Sequence, residues 1–411
     1  MADQPDAIPV LIRAVRPDDD LDAQFDLAER SFGPSRRIGR DQRRRQVADP
    51  VAAGRSLGAF DGDRPVGAAT FHDMRQWWCG RAVPMAGVAS VKVAPEDRGR
   101  GIARRLMTAL LDEVAARGYP LSALYPATTP LYRSLGWELA GVRDIAVIPT
   151  RSLRDLVPPD PTVLAAGQDI AAGSPRLRRA APADAEAAIS VIGRVHQSSR
   201  DCGPITWDVA SVAGRLADPD LYAYLCDDGF LVDRWHNGND ALFVEGAQAI
   251  SAPAQRAFWA HVGSHASIAD QVFARVGPAG AFWWLTRERD ADVHHRSMWM
   301  LRVVDAPAAI AARGFPAAVS VSVPLAIADD ARPANSGRWE LTVTDGQGAL
   351  EPLTAGPGVP LTVGARGLAA LYAGTPVSAL RQASLAAGGS PGDDASLDAA
   401  FAGTAYMLDA F

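Results

Sequence analysis

The sequence predicts an α/β (α+β) protein in which mixed β-sheets are flanked by helices and more than one folded unit is present. Three observations lead there. Strand-like and amphipathic helical stretches alternate along the chain, one strand, turn and helix pattern recurs in its middle third, and 411 residues exceed what a single core of ordinary size holds. With 48% hydrophobic and 21% charged residues, the composition is that of a globular chain with a sizeable core.

Residues 8–16 read as a strand, and Pro17-Asp18-Asp19-Asp20 then supplies turn and N-cap chemistry for a helix carrying Phe25, Leu27, Ala28 and Phe32. Residues 56–60 and 65–71 flank Asp61-Gly62-Asp63-Arg64 as a hairpin about a D-G turn, and residues 86–93 form a third strand. The stretch from Val157 to Pro175 is rich in Pro, Gly and Ala, as connections between units are. The first pattern returns over residues 177–195, with Ile189, Ile192 and Val195 at helical spacing. Further on, residues 298–304 read as a strand and 306–313 as a helix ended by Gly314. Residues 337–344 alternate with period two and stop at Asp345-Gly346. The expected units are therefore 1–150, 151–295 and 296–411, the last a separate α+β unit.

A net charge of -6 gives no reason to expect nucleic acid or an anionic membrane as partner. Cys79, Cys202 and Cys226 are odd in number and widely spaced, which suits neither a disulfide framework nor a CxxC metal site. His261 and His265 have helical metal-ligand spacing but lack the glutamate of H-E-x-x-H, so no metal is expected. No apolar run reaches the roughly 18–20 residues that cross a bilayer, and the N-terminus lacks signal-peptide regions, which predicts a cytoplasmic protein.

The chemistry concentrates in Val91-Lys92-Val93-Ala94-Pro95-Glu96-Asp97-Arg98-Gly99-Arg100-Gly101-Ile102-Ala103-Arg104. A β-branched strand runs through a glycine and arginine loop into a helix with Ile102, Leu106, Leu110 and Val114 on one face. Glycines let the backbone approach a ligand, and the free N–H groups and dipole of a helix start favour an anion such as a pyrophosphate. Neither a Walker lysine nor a G-x-G-x-x-G fingerprint is present here.

Arg98-x-x-Gly101-x-Ala103 closely resembles the acetyl-CoA motif of the GNAT acetyltransferases, and Tyr132-Arg133-Ser134-Leu135-Gly136-Trp137 resembles their later Y-x-x-x-G-[FWY] signature. The order of parts is similar to the Eis (enhanced intracellular survival) acetyltransferases of actinobacteria: a GNAT domain, a second GNAT-like domain without the CoA motif, and a sterol-carrier-protein-like domain. Residues 301–315, 337–341, 371–374 and 398–411 share in this likeness. It implies acetyl-CoA contacts at Val91, Lys92, Val93, Arg98, Gly99, Arg100, Gly101, Ile102, Ala103, Arg104, Ala127 and Thr128. The Lys92 side chain is expected to be solvated. Backbone N–H groups of the 91–93 strand would polarise the thioester carbonyl, and Tyr132, a phenol of pKa about 10, would protonate the departing thiolate.

The resemblance further implies that the carboxylate of Phe411 folds back as general base, ionised at neutral pH because its reference pKa lies near 3.5. It implies a homo-oligomer, a hexamer in the family. Phe32, Trp77 and Trp78 are candidate walls of the substrate cleft, with packing in the core an equal reading for the two tryptophans. One departure concerns substrate: no carboxylate follows Phe32, and Arg36, Arg37, Arg40, Arg43, Arg44 and Arg45 come after it, which reads as a solvated helix face around a less acidic pocket. The expected function is direct, acetyl-CoA-dependent N-acetylation of a primary amine on a bulky cationic small molecule such as an aminoglycoside. The alternatives are a lipid or hydrophobic-ligand carrier with a vestigial acetyltransferase core, and acetylation of protein lysines or a biosynthetic intermediate.

Overall fold

A computed structural model describes residues 10–33, 40–165, 175–354 and 358–411. Ile8 and Pro9 of the expected first strand, Arg36 and Arg37, and the side chains of Arg40, Arg43 and Arg45 lie outside the described residues. The chain opens with β1 (Leu11–Ala14) and α1 (Leu21–Phe32), which begins at Asp20 because that carboxylate accepts the Ala23 N–H. After α2 (Arg40–Ala52) come β2 (Ser56–Asp61), β3 (Arg64–Trp78) and β4 (Arg81–Val93), an antiparallel meander. β3 and β4 extend further toward their shared turn than the apolar pattern indicates. Residues 72–78 mix polar and aromatic side chains, and the turn is closed by Cys79 and Gly80 at φ 48° and 83°.

Helix α3 (Ile102–Ala116) buries Leu106, Leu110 and Val114 against this sheet and returns the chain to β5 (Leu121–Leu124), parallel to β4. There follow α4 (Thr129–Arg133), β6 (Glu138–Pro149), α5 (Pro161–Ala165), β7 (Arg178–Arg179), α6 (Ala185–Ser199), β8 (Cys202–Thr206) and α7 (Val209–Leu216). Next are β9 (Tyr222–Cys226), β10 (Gly229–His236), β11 (Ala241–Ala249), α8 (Ala252–Gly263), β12 (Gln271–Val276) and β13 (Asp292–Val303). All these strands join one sheet, ordered β1-β2-β3-β4-β5-β13-β6-β12-β11-β10-β9-β7, with β8 paired to β3 off that path. Strand β6 is the seam, with β13 on one edge and β12 on the other. β13 runs straight through the expected 295/296 division and inserts between β5 and β6.

The remaining chain forms α9 (Ala306–Ala312), β14 (Val321–Ala328), β15 (Gly337–Thr344), β16 (Gln347–Pro352), β17 (Leu361–Gly364), α10 (Ala365–Tyr372), α11 (Val377–Gln382), β18 (Ala386–Gly388) and α12 (Pro391–Ala400). Its five-stranded sheet has the order β16-β15-β14-β17-β18. This unit shares one core with the first sheet: Met74, Trp78 and Met85 pack in the same cluster as Phe315, Leu341, Tyr372 and Phe401. Two buried arginines sit at the junction. The Arg313 guanidinium lies 4.7–5.5 Å from the ring centres of Trp78, Phe315, Tyr372 and Phe401. Arg302 on β13 donates to Asp329, 2.6 Å away, with both side chains fully buried.

One expected cleft residue is corrected by this packing. Trp78 is 0% exposed, edge-on to Trp299 and Tyr372, with its indole N–H given to Gln76, so it cannot touch a substrate. Trp77 points the other way along the strand and donates to Thr206 at 2.7 Å beside His196, joining β3 to the middle of the chain.

Candidate active site

β4 and β5 stay in register only from Met85 with Leu121 to Val88 with Leu124. Beyond that point β5 ends while β4 continues to Val93. A bulge at Ser90, φ 53°, lets Ala89 face Thr70 while Lys92 faces Ala68. Residues 89–93 thus have β3 on one edge and, among the described residues, no partner strand on the other, leaving a row of peptide groups for an extended amide chain.

The loop that follows lies beside this open edge. Gly99 and Gly101 take φ of 83° and 72°, where side chains are strained, and no neighbouring atom crowds either. Gly101 begins α3 with no capping side chain, so the first-turn N–H groups of Ile102, Ala103 and Arg104 remain available. The buried carboxylate of Asp97 fixes the loop through Arg64, at 2.9 Å, and Arg100. That uses up Arg100, whereas Arg98 and Arg104 are exposed and make no ion pair among the described residues. Free N–H groups, two free guanidinia and an open strand edge form a donor set that suits a pyrophosphate joined to an amide chain. Ile102 contributes only backbone here, because its side chain is buried with Val10, Ala59 and Val66. Ala127 and Thr128 are exposed in the loop from β5 to α4, across the opening.

Lys92 departs from expectation. The bulge turns its side chain inward, where it is 6% exposed, and desolvation pulls its pKa down to about 8.

Tyr132, on α4, packs edge-on to Trp137 with ring centres 6.5 Å apart and is 6% exposed. Burial raises its pKa, so the phenol is protonated at neutral pH. Its hydroxyl makes no hydrogen bond among the described residues.

The end of the chain arrives at the same opening. Val142 N–H donates to Ala405, Met407 N–H to Val142 and Tyr406 N–H to Cys202, which lays residues 405–407 between β6 and β8. Tyr125, just past β5, donates its hydroxyl to the Asp409 carbonyl at 2.7 Å and packs edge-on to Phe411, centres 5.7 Å apart. The Phe411 ring rests on Gly87 of β4. A side chain there would lie 3.0 Å from ring carbons of Phe411 and 2.8 Å from the Met74 sulfur, so glycine makes the seat. The terminal carboxylate has no ion-pair or hydrogen-bond partner among the described residues.

Charges gather around this tail. Arg215 bridges Asp409 at 3.0 Å and Glu245 at 2.8 Å; Arg234 and Arg275 also reach Glu245. Arg143 lies 4.8 Å over the Tyr125 ring. On the other side, His72 stands opposite Gly87 on the neighbouring strand and edge-on to Trp207, and burial lowers its pKa. Phe32 is 59% exposed at the end of α1, and Arg44 pairs with Asp22 on that helix. Sequence reasoning did not find Gly87, Tyr125, His72, Trp207 or Asp409. A glycine inside the 86–93 strand was the one available signal, since glycine within a strand often marks close approach of another group.

The chain is similar to known proteins over most of its length. The acetyltransferase (GNAT) domain family matches residues 12–140, and the sterol carrier protein domain family matches residues 306–408. The crystal structure of a GCN5-related N-acetyltransferase from Kribbella flavida is 41% identical, covers 98% of this chain and 99% of its own, and superposes with a TM-score of 0.89. An uncharacterized N-acetyltransferase from Streptomyces avermitilis is 29% identical, covering 88% of this chain and 89% of its own. N-acetyltransferase Eis of Mycobacterium bovis is 27% identical, covering 72% and 73%. The chain belongs to the GCN5-related N-acetyltransferases of the Eis type, and it is an acetyltransferase.

Proposed function

We propose that the chain moves the acetyl group of acetyl-CoA directly to a primary amine of a small molecule, with both substrates bound at once. The observation that carries this is the seat of Phe411 on Gly87, at the point where β4 and β5 part. Acetyl-CoA supplies an activated thioester. Arg98, Arg104 and the α3 first turn hold its pyrophosphate, with Gly99, Arg100, Gly101, Ile102 and Ala103 shaping the loop and Ala127 and Thr128 the facing wall. Backbone N–H groups of Val91, Lys92 and Val93 hold the pantetheine and the thioester oxygen, which gains charge as the nitrogen adds.

The carboxylate of Phe411 takes one proton from the ammonium, and the freed amine lone pair then attacks the thioester carbon. As the N–C bond forms and the C–S bond breaks, Tyr132 gives its hydroxyl proton to the sulfur, and the second proton shed by nitrogen returns through solvent to the Tyr132 oxygen, leaving amide, free CoA thiol and one net proton for release from Phe411. In this reading residues 1–150 and the chain end carry the chemistry, 151–295 wall the acceptor side, and 296–411 deliver the tail, with self-association as in the family. The family resemblance favours a cationic amine such as an aminoglycoside as acceptor, with Phe32 at the cleft rim.

The test is thiol release from acetyl-CoA with aminoglycosides, polyamines and simple amines, comparing the native chain with Tyr132→Phe. Amine-dependent release that falls by about 10²–10⁴ in kcat in the variant, with acetyl-CoA affinity kept, is the expected result. Equal turnover in both would remove Tyr132 from the reaction.

A further inference from the structure

The middle of the chain contains an opening that packing of its own helices leaves unfilled. Between α6, α7 and the face of β9–β11 lies a largely apolar cavity of about 60 Å³, walled by Ile192, Val212, Phe230 and Val232. A bulge shapes one of its walls. Val232 pairs with Gly246 and Asp233 with Val244, so Glu245 turns toward the arginines while Gly246 faces the cavity without a side chain. A Cβ built on Gly246 meets no atom within 4 Å.

The cavity adjoins the proposed transfer site. Trp207 lines the cavity and packs on His72, which stands opposite Gly87, the seat of Phe411. Asp409, two residues before the chain end, lines the cavity as well and is held by Arg215. The rim charges are therefore already paired. A charged group inside would lose hydration with nothing to replace it, whereas hydrocarbon would gain. The indole N–H of Trp207 is buried, makes no hydrogen bond among the described residues and provides one donor in the cavity wall.

We propose that this cavity takes the apolar part of the acceptor: an alkyl or arylalkyl group whose primary amine stays outside, beside the unpaired carboxylate of Phe411. The proposal rests on the reading of Phe411 as the proton acceptor and names the acceptor class as a monoamine with a hydrocarbon tail. A polyhydroxylated ring system does not fit the cavity's interior, since its hydroxyls would find few partners there.

The experiment compares ethylamine, butylamine and hexylamine in thiol release from acetyl-CoA, and measures binding of the same amines by calorimetry without acetyl-CoA. With the native chain, kcat/KM and affinity should each rise by about fourfold per methylene. Gly246→Leu, whose Cβ would meet no neighbouring atom within 4 Å, should remove at least tenfold of the hexylamine advantage over ethylamine; Ile192→Trp fills the space from the α6 side should the first variant fail to fold. Chain-length-dependent binding that Gly246→Leu abolishes upholds the cavity even if no amine releases thiol, in which case the transfer reading alone fails. Equal affinity for all three amines, or a chain-length preference unchanged in both filled variants, overturns it.

Discussion

The carboxylate of Phe411 and the ammonium of Lys92 are opposite cases of charge at a site. The carboxylate ends on an open cleft with no partner among the described residues, which leaves its lone pairs for a substrate proton. Lys92 is closed in, and its charge opposes folding. Its folded pKa of about 8 lies below the roughly 10.4 of an unfolded chain, so between pH 8 and 10.4 the unfolded state binds more protons and stability rises with pH. Lys92→Met should therefore stabilise the protein at pH 7 by up to ~3 kcal/mol, and the gain should shrink as pH approaches 10. Urea unfolding at pH 7 and at pH 10 checks it; equal effects at both would mean that Lys92 stays charged in the fold. Backbone N–H groups of this strand, not the lysine side chain, serve the proposed transfer, so the variant should retain acetyl-CoA affinity.

At the scale of elements, what was legible in the sequence was local. The α1 start at Asp20, the β2–β3 hairpin, the α3 loop and the alternating β15 follow from caps, turn residues and periodicity over a few residues. The lengths of β3 and β4 were not legible, because Trp78 is buried and Trp77 half-buried by partners far along the chain and their strand carries polar residues between. For the same reason the two tryptophans read equally well as cleft walls. The bulges at Ser90 and at Glu245 leave no compositional mark, yet one turns Lys92 inward on β4 and the other leaves Gly246 facing the cavity beside α7. Of the candidate site, the anion loop and Tyr132 lie in short motifs and were readable. His72, Gly87 and Tyr125 become neighbours only once the sheet forms.

For the whole molecule, the chain end reaches the first sheet because the last unit is fixed to it. Strand β13 belongs to the first sheet, and Arg302 on it is buried against Asp329, whose other oxygen accepts from Asn335 at 3.0 Å. Arg302→Met would leave Asp329 buried and uncompensated, a loss of about 3–5 kcal/mol in overall stability by chemical denaturation. A loss below about 1 kcal/mol would mean that the pair is not what joins the two parts. From this anchored unit the tail is stitched across Val142 and Cys202 and delivered to Gly87.

The most direct test of the account is a chain made by ligation whose last residue is phenylalanine amide, which keeps the ring on Gly87 and Tyr125 and removes only the terminal charge. Steady-state thiol release with a saturating amine should fall by about a hundredfold or more in kcat, with acetyl-CoA affinity and melting temperature unchanged. Turnover equal to that of the native carboxylate would contradict the assignment of Phe411 as the proton acceptor.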